Sequence, residues 1–298
     1  MSQPRWPNGA RATISFTMDN LGEAQDVNRG VWTAPIGTHP AVTNQLPRML
    51  DLLSRYSLKA TYFVEAWSLS VYPSVIKDLI SRGHEVAWHG YQHEPWMSLS
   101  SSAEVTNFER SFSAAREQGV RYSGFRPPGG STTKYPEHNT PSSTAQSFAL
   151  LRRHGIRYVS PLETETVKLG IHLQSGSKQP GGDEGIVVLP FEWRAVDAFY
   201  YMDKFSSIRK DHGEQEGVLS PDDFRTFLLK QIEQTKENNG YMSILFHPFL
   251  QTSEDKFAVL GEVLQRLSAD EDIWCAPCNE VAEWVAEHSD LFEKSRIG

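Results

Sequence analysis

The sequence predicts an α/β fold of the parallel (β/α) barrel class. Three observations lead there. Short apolar runs alternate with segments of helical periodicity; about seven such units follow one another without a domain break; and several polar candidates stand just after predicted strands, where an α/β barrel gathers its chemistry. At 298 residues, with 39% hydrophobic and 22% charged content, the chain suits one such domain spanning 1–298.

The elements follow in order. Residues 12–18, ATISFTM, form a buried strand. A helix over 43–56 turns Leu46, Met49, Leu50 and Leu53 to one face, with Pro47 in a permitted early turn. A strand at 60–66, a helix at 72–83 stopped by Gly83 and a strand at 84–88 come next. Ser101 and Glu104 make a capping-box pair ahead of a helix carrying Val105, Phe108, Phe112 and Ala115. Residues 121–125 are extended, 142–155 helical and 156–160 extended. The second half adds a strand at 185–191, a capped helix at 220–240 with Phe224, Phe227, Leu228 and Ile232 inward, and a strand at 241–246. A helix at 256–268, a strand at 272–277 and a last helix at 279–288 complete it. Segments 20–42, 127–141 and 161–184 read as irregular insertions on the rims.

Charge narrows the partners. With 29 basic against 37 acidic residues the net charge is -8, which argues against nucleic acid and anionic membrane surfaces. No apolar run approaches the roughly 20 residues that cross a bilayer. The opening lacks the apolar core of a secretory signal, which predicts a cytoplasmic protein, or a secreted one if a leader was removed.

Chemistry concentrates in a few short stretches. HGYQH supplies His89 and His93, spaced to share one divalent ion, with Gly90 allowing a bend between them. TMDN delivers Asp19 and Asn20 to the end of the first strand. GFRPPGG places Arg126 after a strand and before a stiff turn; it reads as a surface ion pair or as a charge-assisted partner of a catalytic carboxylate. SILFHPF ends an apolar strand in His247, a candidate proton donor. PFEWRAVDAFYY offers Asp197 to orient that histidine and Trp193, Phe199, Tyr200 and Tyr201 to line a sugar-sized cleft. WCAPC looks like a redox motif, but the thioredoxin-type domain it needs does not fit around it, and two cysteines fall short of a structural zinc site. His84, His138, His172 and His212 read as structural or solvent-facing.

Taken together, TMDN, HGYQH, GFRPPGG, VDAFYY and ILFHP resemble, in order and approximate spacing, the five motifs of NodB-like polysaccharide deacetylases. The branch that is most similar holds intracellular-type peptidoglycan deacetylases, fungal chitin deacetylases and ring-opening amidohydrolases. The resemblance implies a distorted (β/α) barrel and metal-dependent N-deacetylation. It implies a divalent ion, zinc with cobalt as a substitute, on His89 and His93, with Arg126 pairing the base, PPGG walling the groove, His247 as general acid and Asp197 as its tuner. The first motif usually reads Thr-Phe-Asp-Asp, and two registers stay open. Either Asp19 is the base and Asn20 binds the metal through its amide oxygen, or Asp19 binds the metal and Glu23 or Asp26 is the base. Gly130 stands where the third motif usually carries an aromatic, at the position of an expected backbone oxyanion donor.

Three functions follow. The first is a deacetylase acting on N-acetylglucosamine residues of chitin-type oligosaccharides or related N-acetylated polysaccharides. The second is an allantoinase-like hydrolase of cyclic amides or imides, and the third a non-catalytic carbohydrate binder. A homo-oligomer stays open.

Overall fold

The computed structural model describes residues 5–130, 141–174 and 185–297. Among the described residues ten strands form one sheet: β1 (Ala12–Asp19), β2 (Thr61–Val64), β3 (Glu85–Trp88), β4 (Gly124–Phe125), β5 (Tyr158–Val159), β6 (Gly170–Gln174), β7 (Ile186–Val188), β8 (Tyr241–Phe246), β9 (Ile273–Cys275) and β10 (Lys294–Ile297). The order is β10-β6-β7-β5-β4-β3-β2-β1-β8, with β9 also on β1. Every pairing is parallel except β6 with β7. β8 runs along one edge of β1; β9 and β2 share the other, pairing at Ala12–Ile14 and Thr17–Asp19 respectively.

The sheet curls into a distorted, incomplete barrel. The chain leaving β7 passes the carboxyl mouth, bridging Phe191 to Leu162 and then Val196 to Leu245 of β8, so one segment reaches both sides of the opening. One expectation needs correction here. The stretch 161–184, irregular by its sequence pattern, contributes β6, and residues 294–297 add β10 beside it. β10 is the edge strand and β6 lies between it and β7; both are short, so tertiary pairing rather than pattern sets them.

The alternation inside β1 explains how the barrel holds chemistry. Ile14, Phe16 and Met18 enter the main core with the outer helices, whereas Thr13, Ser15 and Thr17 are equally buried on the other face. Small hydroxyl residues there leave room and hydrogen-bond partners for a large polar side chain. The helix Leu46–Arg55 buries Leu46, Met49, Leu50 and Leu53 as its spacing predicts. Such burial contributes about 1.5–3 kcal/mol per large side chain. The helix Ser101–Glu117 is capped by Ser100, whose Oγ accepts from Ala103 N; the expected Ser101–Glu104 box is not formed, because Glu104 is buried and accepts from Ser147. The helix Pro221–Glu237 carries a full Ser220–Asp223 box.

The helix Cys278–Glu287 packs across the amino ends of the strands, donating Cys278 N–H to Thr61 Oγ1 and Asn279 N–H to Glu85. Cys275 and Cys278 are free thiols whose burial pushes them up to about 12 and about 11, the opposite of redox activation. His84 is buried and accepts from Ala60 N; His172 lies half-buried in β6, His212 is exposed, and His138 falls outside the described residues. Among the described residues no helix is long and apolar enough to cross a membrane.

Candidate active site

Register brings the sequence candidates to one level. Asp19 ends β1 opposite Phe63; His89 follows Trp88, which pairs with Val64 and Phe125; Arg126 follows Phe125; His247 follows Phe246, which pairs with Met18. With Asn20, His93 and the Pro127–Gly130 turn they line a cavity of about 570 Å³ at the carboxyl mouth. Asp197 stands behind His247, bonded to its ring. The candidates therefore meet in one place.

Arg126 is the centre of the cluster. It is fully buried, so the surface ion-pair reading fails. Nη1 donates to Asp19 Oδ1 at 2.8 Å and to Thr17 Oγ1 at 3.0 Å; Nη2 donates to Ser160 and Ser243 hydroxyls at 2.9 and 3.1 Å. The Phe63 and Phe191 rings lie 4.1 and 4.8 Å from the guanidinium carbon. A buried charge persists only when paired and hydrogen-bonded. The inward hydroxyls of β1 and β8 meet the second condition and Asp19 the first.

The free oxygen of that carboxylate faces a histidine. His89 Nδ1–H donates to the Arg126 carbonyl at 2.8 Å, which fixes the tautomer and leaves Nε2 as an acceptor 3.8 Å from Asp19 Oδ2. Burial, assisted by the Arg126 charge, pushes His89 down to about 3, and burial and His89 together hold His93 low, so both rings stay neutral. Two acceptors with no proton between them suit a shared cation, so the donor set fits a divalent ion. The His89 and His93 rings lie 4.9 Å apart, with Gly90 (φ 78) and His93 (φ 57) both left-handed to make the turn. Glu94 locks it by accepting from Tyr91 N and Gln92 N, both at 3.0 Å. Even so, no group of three or more His, Cys, Asp or Glu among the described residues is assembled for a metal. Part of the reason is visible: position 20 offers an amide, and the Gln25 amide lies 2.5 Å from His93 Nδ1.

The second acid–base pair is complete. His247 Nδ1 lies 2.6 Å from Asp197 Oδ1, and Asp197 Oδ2 accepts from His247 N at 2.7 Å and Gln251 Nε2 at 2.8 Å. An acceptor on Nδ1 places the proton there and turns Nε2 toward the cavity. The helix Asp197–Tyr201 that carries the acid is fixed from below by the buried Arg209, which donates to the carbonyls of Phe199, Met202 and Glu216.

Several expectations change. Glu23 is buried and bonded to the Tyr72 hydroxyl and Gly37 N–H, and neither it nor Asp26 lines the cavity, so neither is placed to be a base. Of the aromatic cluster only Trp193 lines the cavity, joined by Phe191, Phe205 and Phe249; Phe199 and Tyr200 pack in the core beside Phe224. Gly130 N–H donates to Pro127 O at 2.8 Å, so that group is spent on the turn rather than offered as an oxyanion donor. A residue not anticipated is Glu65, 1% exposed just after β2, which accepts from Asn20 Nδ2 and Leu21 N. Burial outweighs these bonds and pushes its carboxyl up to about 8. The run ATYFVEA did carry the signal: an acid at the end of an otherwise buried strand.

The fold and this cluster define an α/β-barrel protein with paired acid–base groups at its carboxyl mouth. The family model for polysaccharide deacetylase matches residues 14–159, which run from β1 through β5, so this part of the chain is a polysaccharide deacetylase region. Among curated relatives, the peptidoglycan deacetylase of Helicobacter pylori is 22% identical over 87% of this chain and 86% of its own length. The chitooligosaccharide deacetylase of a Bradyrhizobium strain is 33% identical over 29% of this chain and 37% of its own. Among solved structures, a Mycobacterium smegmatis protein assigned to the polysaccharide deacetylases aligns with TM-score 0.72 at 23% identity, covering 95% and 92% of the two chains. An allantoinase aligns with TM-score 0.70 at 17% identity over 97% and 95%. These two are similar in fold.

Proposed function

We propose that this protein is a metal-dependent hydrolase that removes acetyl groups from N-acetylated glycans of the peptidoglycan or chitin type. The deacetylase family-model match over residues 14–159 and the likeness to the Helicobacter pylori peptidoglycan deacetylase support the reaction class. The observation that carries the residue roles is the Asp19 carboxylate, held by Arg126 on one oxygen while the other faces His89 Nε2 at 3.8 Å.

In this reading His89, His93 and the Asn20 amide oxygen hold the divalent ion, zinc by the chemistry of two imidazoles. A bound divalent ion would supply Lewis acidity toward the amide carbonyl and toward water. Asp19 takes the proton of the attacking water; it is the one carboxylate among the described residues that line the cavity. Arg126 holds that carboxylate in place through the Nη1 bond to Oδ1. His247 delivers a proton from Nε2 to the departing nitrogen, with Asp197 fixing its tautomer. Trp193, Phe205 and Phe249 present apolar faces suited to sugar rings. The alternative register, with Asp19 as ligand, lacks a base, since Glu23 and Asp26 stand elsewhere.

The test is to incubate the protein with a chitin tetramer, a peptidoglycan fragment and a cyclic imide, each with and without chelator. Chelator-sensitive acetate release is expected from one of the glycans. Ring opening of the imide without acetate release would instead assign the cyclic-amide hydrolase activity. No turnover of any substrate after zinc loading would contradict the proposal.

A further inference from the structure

We infer that Glu65 is a positioning residue that holds the Asn20 amide with its oxygen toward the cation site. The inference rests on the functional reading above and deepens it. Asn20 stands at a left-handed φ of 64, a conformation that needs support. The support comes from β2 and the residues after it. Tyr62 OH donates to the Asn20 carbonyl at 2.8 Å, Ser68 Oγ donates to the Leu21 carbonyl at 2.7 Å, and Glu65 Oε2 accepts the Leu21 N–H at 2.9 Å. The remaining oxygen, Oε1, accepts from Asn20 Nδ2 at 2.8 Å.

That last bond decides which end of the amide faces forward. Both Glu65 oxygens act as acceptors, and an accepting carboxylate selects the NH₂ end and rejects the flipped amide. Asn20 lines the cavity, and with its nitrogen anchored behind, the oxygen is the end left to point forward. Cations bind oxygen and not an amide NH₂. Glu65 therefore turns a neutral residue into a usable ligand.

The experiment measures zinc affinity of the metal-free protein by competition with a chromophoric chelator, alongside its melting temperature. In Glu65→Gln the new amide NH₂ can donate to the Asn20 oxygen and turn it away. Zinc affinity is expected to fall roughly 10–100-fold while the metal-free protein still melts cooperatively. Asn20→Ala should show a similar loss. The double variant Asn20→Asp/Glu65→Gln should recover wild-type affinity, because an aspartate offers one oxygen to the amide introduced at position 65 and the other to the cation. A role confined to holding the backbone would not give that recovery. Unchanged zinc affinity in folded Glu65→Gln, or a folded double variant that fails to recover, overturns the inference while the functional reading stands; unchanged affinity in Asn20→Ala overturns the inference and removes Asn20 from the ligand set, leaving the deacetylase reading to the acetate-release test. If Glu65→Gln does not fold, Asn20→Ala and the double variant decide the matter. If the wild-type protein takes up no zinc, both fall together.

Discussion

The two ends of the sheet each bury an acid, and they treat it differently. At the amino end Glu85 opens β3 and accepts from Thr61 Oγ1, Ser123 Oγ, Tyr158 OH and Asn279 N at 2.8–3.0 Å. All four donors are neutral, and burial raises the carboxyl despite them. At the carboxyl end Asp19 meets a guanidinium on one oxygen and leaves the other facing an unprotonated imidazole. Cavity size does not separate the two ends, because the opening beside Ser123, Tyr158 and Asn279 is about 660 Å³, larger than the 570 Å³ at the mouth. What separates them is bonding. An acid whose acceptor sites are filled by neutral donors ties elements together; one with a fixed charge partner and an open face can take a proton.

The largest effect expected from this contrast is on turnover. Asp19→Asn should lower deacetylation by roughly 10²–10⁴-fold with the circular dichroism spectrum unchanged, whereas Glu85→Gln should leave turnover near wild type. Equal losses in the two variants would erase the distinction. The next largest is stability: Arg126→Met leaves Asp19 buried without its cation and should cost about 3–5 kcal/mol in denaturant unfolding. Glu85→Gln, which keeps hydroxyl partners able to turn, should cost about 1–3 kcal/mol.

Smaller effects lie in pH dependence. The Glu85 carboxyl is raised in the folded chain, so the native state holds its proton where the unfolded chain has lost it. Its share of stability is present below the ordinary value near 4.5 and is lost as pH rises through the folded value. Glu85→Gln should therefore compare better with wild type at pH 8 than at pH 4, read from melting temperatures. His84 has the opposite slope. Burial lowers it to about 4, so the unfolded chain binds the proton first as pH falls below 6.5, and stability declines down to about pH 4. Replacing His84 by Asn should flatten that part of the curve; an unchanged slope would show that His84 is not its source.

Legibility in the sequence followed the same contrast. Asp19, His89, Arg126 and His247 were visible because each ends or follows an apolar strand, and strand ends are the best-determined points of a parallel barrel. The helix faces were visible because burial follows 3.6-residue spacing, as in Leu46, Met49, Leu50 and Leu53. Residues whose role depends on a partner far along the chain were not. Glu65 matters through Asn20, 45 positions earlier, and Arg209 through three carbonyls that no periodicity marks. The amino-end acid was hidden for a like reason, since its four donors come from four separate elements. The loss of the Gly130 N–H to a turn bond was equally beyond a one-dimensional reading.

The most direct measurement is zinc anomalous scattering from a crystal of the metal-loaded protein. One strong peak is expected about 2.0–2.1 Å from His89 Nε2, bordered by His93 and the Asn20 oxygen, with Asp19 within one water of it. A peak elsewhere, or Asp19 and His89 drawn into a direct hydrogen bond with no ion between them, would contradict the proposal.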